Sequence, residues 1–245
     1  HSTSSAASDV YKRQELGYEA VEEVFSNLGI EKKVPNLPSV FIGSFELSPY
    51  QAIQAYQTIA DDGFYTPLRS IRQIRETSGE IEFSYPYSVE QRMRPEPITL
   101  LKFALQQTFL TGTARGYSKK DIDKWNAGGK TGTSDDQRDS WFVGFAGDLL
   151  VLVWLGFDDN RPTVLTGRTG AFQVWKNFID DINPVSTKKT KLQRIQYVWT
   201  DIDDGLLSGK SCKNSLLVPF IRGTEPIKVP NVRKKCFSKN PTNGE

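Results

Sequence analysis

The chain has 245 residues, a formal net charge of +2 and 38% apolar residues. That length accommodates one good core and a small appendage. Its one histidine, His1, stands at the very terminus, which nearly excludes a Ser-His-Asp triad and a histidine-built metal site.

The polar run His1 to Ser8 and the string Asp9 to Gln14, which reads as translated adapter sequence, are set aside from fold reasoning. Apolar residues at 16, 20, 21, 24, 25 and 28 predict a helix over 15–28, ended by Gly29. Ser48 is an N-cap and Pro49 a first helical residue, so a second helix runs to about Ala60 with Ala52, Ile53, Tyr56 and Ile59 inward. Alternation over 70–75, a turn at Thr77-Ser78-Gly79-Glu80 and Ile81-Glu82-Phe83 predict a small surface hairpin. A third helix is predicted over 97–110, with Leu100, Leu101, Ala104, Leu105 and Phe109 inward.

The most informative stretch follows: Gly128-Gly129-Lys130-Thr131-Gly132-Thr133-Ser134, then Asp139-Ser140-Trp141-Phe142-Val143-Gly144-Phe145. It reads as a Lys-Thr-Gly strand, a second strand over 140–146, a turn at Gly147-Asp148 and a buried third strand over 149–157. Apolar positions 171, 174, 175 and 178 then predict a helix over 170–179 that packs on this sheet. A phosphate-binding P-loop is a rival for Gly129-Lys130-Thr131, but it needs glycine where Lys124 stands and a helix after Thr131. A glycine-rich turn entering an ordinary strand is the other reading of the triplet alone.

In the tail, 194–200 alternates like a strand, Asp203-Asp204-Gly205 turns, and 190–237 reads as a short β-appendage. Residues 185–245 carry 12 Lys and Arg against 5 Asp and Glu, a basic segment suited to anionic lipid or wall polymer, or a plain solvated surface. No Arg-aromatic interleaving suggests nucleic acid. No uninterrupted apolar run reaches the roughly 18 residues of a membrane span. Cys212 and Cys236 have no histidine near them, so a zinc site is disfavoured; they are expected to bridge, with two free thiols as the alternative.

The order of these elements resembles the transpeptidase domain of the class A, bifunctional penicillin-binding proteins. The run Leu47-Ser48-Pro49 to Gly63, the segment Thr111-Gly112-Thr113-Ala114, the Lys-Thr-Gly stretch and Asp139-Ser140-Trp141-Phe142 occur in the family's order, and the likeness covers about 16–178. It implies an α/β fold of the α+β type: an antiparallel sheet with packed helices, the penicillin-binding protein and serine β-lactamase-like transpeptidase fold, incomplete on its N-terminal side. Residues 15–183 would be the C-terminal part of that domain and 184–245 a basic linker with a small β-rich appendage.

The resemblance assigns roles. Lys130 would supply fixed positive charge near the family's Ser-x-Asn serine and the substrate carboxylate. Thr131 and Thr133 would offer hydroxyls to that carboxylate. Gly132 would let a substrate backbone approach, and the Thr133 N–H would be an oxyanion donor. Lys130 and Thr133 are thus the catalytic candidates and Thr131, Gly132 and Thr133 the substrate-binding ones. Asp139 is expected to order the turn and Trp141 to pack in the core. No cofactor or metal is implied. The parent's partners would be peptidoglycan stem peptides, β-lactams and other wall-synthesis proteins, with no nucleic acid. Its location would be periplasmic, attached to the bacterial inner membrane through an anchor outside this chain.

The chain departs from the family in one respect. Its sole Ser-x-x-Lys, Ser186 to Lys189, and sole Ser-x-Asn, Ser238 to Asn240, both follow the Lys-Thr-Gly triplet instead of preceding it. Both read as linker. The expectation is a C-terminal fragment that lacks the nucleophile, inactive alone, with the inner face of the helix over 48–60 partly uncovered. The alternatives are a serine β-lactamase or D,D-carboxypeptidase relative, and a non-catalytic wall-binding relative.

Overall fold

The computed structural model describes residues 17–187 and 191–228. In chain order these form α1 (17–27), α2 (Pro49–Ala60), β1 (Phe64–Tyr65), β2 (Gln73–Arg75), β3 (Ile81–Ser84), β4 (Glu90–Gln91), α3 (Pro95–Leu110), α4 (Lys119–Trp125), β5 (Gly128–Thr133), β6 (Ser140–Ala146), β7 (Leu149–Leu155), α5 (Ala171–Ile182), β8 (Ile195–Asp201) and β9 (Ser215–Ile221). Helices pack on an antiparallel sheet, as expected.

The sheet has the order β5-β6-β7. Lys130 pairs with Val143, Thr131 with Phe142 and Thr133 with Ser140; on the far side of β6, Phe142 pairs with Val153. Because successive strand residues point to opposite faces, β6 serves two cores. Phe142 and Ala146 face α5, packing with Phe109, Phe172, Trp175 and Ile179. Phe145 faces α2, packing with Ala55, Ile59, Ile98, Leu105 and Leu28.

Local sequence sets where the helices begin. Ser48 Oγ accepts the Gln51 N–H at 3.2 Å and Gln51 Oε1 accepts the Ser48 N–H at 2.9 Å, a reciprocal cap ahead of Pro49. The same device starts α4, where Ser118 and Asp121 cap each other. That helix was not expected from the apolar pattern, although Ser118-Lys119-Lys120-Asp121 carries its start signal.

Which helical face turns inward differs from the apolar spacing at three helices. On α2 the buried residues are Gln54, Ala55, Thr58 and Ile59; Tyr56 packs against the same core, while Ala52 and Ile53 are half-buried. Gln54 is inward because it clamps the next segment: its amide N–H donates to Thr66 O at 3.1 Å and its Oε1 accepts the Leu68 N–H at 2.9 Å. On α3, Leu101 is exposed while Lys102 is buried, its ammonium held by Asp62 at 2.7 Å and the Ala60 carbonyl at 2.9 Å. On α5 the inner stripe is Ala171, Phe172, Trp175 and Ile179. Val174 and Phe178 stay exposed, about a hundred degrees around the helix from that stripe.

The tail forms the β8–β9 hairpin, with Trp199 opposite Leu217, lying against α3. Cys212 is disulfide-bonded; Cys236, the partner expected for it, lies outside the described residues, as does Ser238 to Asn240.

Glycines make the sheet thin where aromatic rings lie on it. Gly129 faces Gly144 across β5 and β6. A Cβ on Gly129 would sit 2.6 Å from the Phe142 ring and 2.7 Å from the Val143 carbonyl, and one on Gly144 would sit 2.7 Å from Phe142 and 3.0 Å from Trp175. Gly129→Ala is therefore expected to destabilise the fold by about 1–3 kcal/mol through overpacking. Urea denaturation of the variant checks this; an unchanged midpoint would mean that Phe142 has room to move.

Candidate active site

Among the described residues β5 is an edge strand of its sheet, and it carries the sequence-predicted residues. The ladder fixes which backbone groups point outward. Ser134 N–H donates to Asp139 O at 3.3 Å, which places the even-numbered residues of this strand in the hydrogen-bonded pairs with β6. The odd-numbered ones present their N–H and C=O to the outer edge. Two contacts agree: Gly129 O accepts from Thr108 Oγ1 of α3 at 2.7 Å, and Thr131 O accepts from Lys130 Nζ at 2.8 Å. Helix α3 thus covers the outer edge at its start, where Gly128 and Gly129 are buried. The edge opens at Thr131, and by the same parity the Thr133 N–H points out of it.

Side chains follow the pleat. Thr131 and Thr133 share the face that carries Phe142 and Ser140. Lys130 and Gly132 lie on the other face, so the structure does not place all four candidate side chains together. Lys130 bends back to the edge through its bond to Thr131 O. The residue as a whole is exposed, yet burial of its charged end holds the Lys130 pKa below the ordinary lysine value. A Cβ on Gly132 would stand 3.1 Å from the Trp141 Cβ, so the nearest neighbour of this glycine is the cross-strand tryptophan.

The segment between β7 and α5 supports the two threonines. Gly167 N–H donates to Thr133 Oγ1 at 2.8 Å. By accepting there, the Thr133 hydroxyl keeps its own hydrogen for another acceptor. The approach requires a glycine: a Cβ on Gly167 would fall 2.6 Å from Gly132 O and 2.9 Å from Thr131 Cβ. Ser140, fully buried, donates to Thr166 O at 2.8 Å and accepts the Ala171 N–H at 2.9 Å. It therefore ties the start of α5 and the Gly167 turn to β6.

Asp139 does order the turn as expected. Its N–H donates to Ser134 Oγ at 2.7 Å, and its carboxylate accepts the Trp154 indole N–H at 2.9 Å. Trp141 is half-buried and lies 6.1 Å from Trp154, ring centre to ring centre. One residue that was read only as part of a resemblance joins the site: Thr113 Oγ1 lies 2.6 Å from Thr131 Oγ1. Its signal was its place in Thr111-Gly112-Thr113-Ala114, just after α3.

Ser186 is far from this edge. Val185 N–H donates to Asp148 Oδ1 at 3.2 Å and Thr187 Oγ1 to Gly147 O at 3.5 Å. That puts Ser186 beside the β6–β7 turn, at the opposite end of the sheet from Thr133. No helix begins at Thr131, so the P-loop reading is discarded. Among the described residues no cluster of three or more metal-ligating side chains occurs, and no helix is long and apolar enough to cross a membrane.

An antiparallel sheet whose edge strand is Lys-Thr-Gly, flanked by helices on both faces, defines the class. The chain belongs to the penicillin-binding protein transpeptidase domain family, which it matches over residues 6–157. It is similar to Penicillin-binding protein 1B of Vibrio cholerae, with 36% identity over 165 residues that cover 67% of this chain and 21% of the relative. It is also similar to Penicillin-binding protein 1B of Haemophilus influenzae, with 38% identity over 151 residues, or 62% of this chain and 19% of the relative. The crystal structure of Penicillin-Binding Protein 1A from Haemophilus influenzae shares the fold, with a TM-score of 0.73 at 20% identity over 90% of this chain and 39% of that one. The chain thus spans about a fifth of the length of the curated relatives it matches.

Two outcomes test this geometry. Thr133→Val removes the acceptor for the Gly167 N–H. It is expected to cost about 1–3 kcal/mol and to speed amide exchange at Gly167 more than elsewhere in the segment; unchanged exchange there would remove the bond from the account. Lys130 should titrate at lower pH than the exposed lysines, because its charged form is the desolvated one. Reductive methylation with a labelled methyl group, followed by an NMR pH titration, reads this directly. A Lys130 midpoint level with the other lysines would contradict it.

Proposed function

We propose that this chain supplies the substrate-holding sheet edge of a peptidoglycan D,D-transpeptidase, as part of a bifunctional cell-wall synthase. The observation that carries the reading is the open outer edge of β5: outward backbone groups at Thr131 and Thr133, with two threonine hydroxyls and one desolvated lysine beside them. An acyl-donor peptide ending in D-Ala-D-Ala could lie along this edge as an added strand, using main-chain hydrogen bonds for affinity. Its terminal carboxylate would accept from the Thr131 and Thr133 hydroxyls, and the Lys130 ammonium would lower the cost of bringing that negative charge to the strand.

In the reaction proposed, a serine oxygen attacks the penultimate D-Ala carbonyl and releases the terminal D-Ala. An amine of a neighbouring stem then displaces the serine. The Thr133 N–H, directed out of the edge, would stabilise the oxyanion in both steps; loss of such a donor commonly costs about 3 kcal/mol of barrier. Supporting this, a structure that shares the fold, with a TM-score of 0.50 at 15% identity, is a penicillin G acyl-enzyme complex of penicillin-binding protein A from M. tuberculosis. β-Lactams would occupy the same edge here. The family and its wall-synthase relatives suit a periplasmic domain attached to the inner membrane. Residues 15–183 would be the transpeptidase portion and 184–245 the appendage.

The nucleophile is assigned to no residue of this chain. Ser186 is the one serine in a Ser-x-x-Lys frame, and it stands at the wrong end of the sheet. Incubated with a fluorescent penicillin and run on a denaturing gel, the 245-residue chain is expected to show no stable band. The full-length gene product is expected to show one, weakened at least tenfold in rate by Thr131→Val. A band on the 245-residue chain that disappears with Ser186→Ala would overturn the assignment of the edge, and an unlabelled full-length product would favour a non-catalytic wall-binding role.

A further inference from the structure

We propose that Thr113 is a positioning residue for the Thr131 hydroxyl, and through it for substrate-carboxylate recognition; the inference rests on the reading of Thr131 as a carboxylate-binding donor. The two hydroxyl oxygens are 2.6 Å apart, close enough for one to donate to the other. A threonine hydroxyl has a single hydrogen. If Thr131 spends it on Thr113, none remains for a ligand. If Thr113 donates instead, the Thr131 hydrogen is directed away from Thr113, and its oxygen gains the polarisation of a bonded acceptor. A carboxylate brought to the β5 edge accepts only, so it selects the second arrangement.

Thr113 is held for this task by its neighbours. Ala114, next in the chain, is fully buried in the aromatic core, and its N–H donates to Thr108 O at 3.1 Å. Gly116 lies against the Phe172 ring, where an added Cβ would be 3.3 Å away. Thr108 in turn grips Gly129 O of β5 at 2.7 Å. The segment carrying Thr113 and the strand carrying Thr131 are therefore fixed to each other through α3. The Thr113 side chain itself is exposed, which frees the test from a folding defect.

The experiment compares acylation of the full-length gene product by benzylpenicillin and by its methyl ester, in which the carboxylate is masked. Variants are Thr113→Val, Thr113→Ala, Thr113→Ser, Thr131→Val and the double Thr113→Val/Thr131→Val. Thr113→Val and Thr113→Ala are expected to lower the second-order acylation rate about tenfold for the acid and to leave the ester unchanged. Thr113→Ser restores the hydroxyl and should restore the rate. The double variant should be no slower than Thr131→Val alone, since both remove one interaction. Equal losses on acid and ester, or a wild-type rate for Thr113→Val beside a slowed Thr131→Val, would overturn the proposal while leaving the functional reading standing. A wild-type rate for Thr131→Val would overturn that reading, and the proposal with it.

Discussion

The structure depends on glycine facing glycine across β5 and β6. Gly129 and Gly144 leave a depression in the sheet, and the aromatic core fills it. Phe142 lies 5.0 Å from both Phe172 and Trp175, and Phe109 lies 5.6 Å from Trp175, ring centre to ring centre. Trp175 also donates its indole N–H to Gly144 O at 3.3 Å. Aromatic groups of this size dominate a core by the area they bury, and these four come from α3, β6 and α5. One packing constraint thus fixes two helices against the strand next to β5. The open edge at Thr131 and Thr133 inherits its position from that packing.

The same arrangement explains how an edge strand stays unpaired without becoming a liability. Free strand edges invite adventitious pairing. Here α3 closes the outer edge at Gly128 and Gly129, and the strand ends at Thr133, where Ser134 and Asp139 lock the turn. Among the described residues, only a short stretch is left open. A peptide that added to it would find outward backbone groups at alternate residues, Thr131 and Thr133, and side-chain hydroxyls on one face only. Selectivity would come from that asymmetry together with the Lys130 charge.

Much of this was legible in the sequence because it was written in local signals. The three sheet strands, their antiparallel order and the helix after them follow from β-prone runs, a Gly-Asp turn and helical spacing. Caps at Ser48 and Gly29 marked helix ends. The inward faces of α2, α3 and α5 were less legible. Gln54 and Lys102 are buried because tertiary partners bind their polar ends, the Thr66 and Leu68 backbone for one and Asp62 for the other. Apolar spacing carries no trace of such partners. At the site, the Lys130-Thr131-Gly132-Thr133 string was plain, but the sequence could not show that its side chains divide between two faces. Nor could it show that Gly167 and Thr113 return to the threonines from distant segments, since both contacts are made by single polar atoms with no period of their own.

The central claim is that the outer edge of β5 receives the acyl donor. Residue-resolved amide exchange on the full-length gene product, before and after acylation by a penicillin, tests it most directly. The account predicts new protection at the Thr131 and Thr133 N–H groups, which face outward, with little change at Lys130 and Gly132, which β6 already holds. Unchanged exchange at both threonines in a fully acylated protein would contradict it.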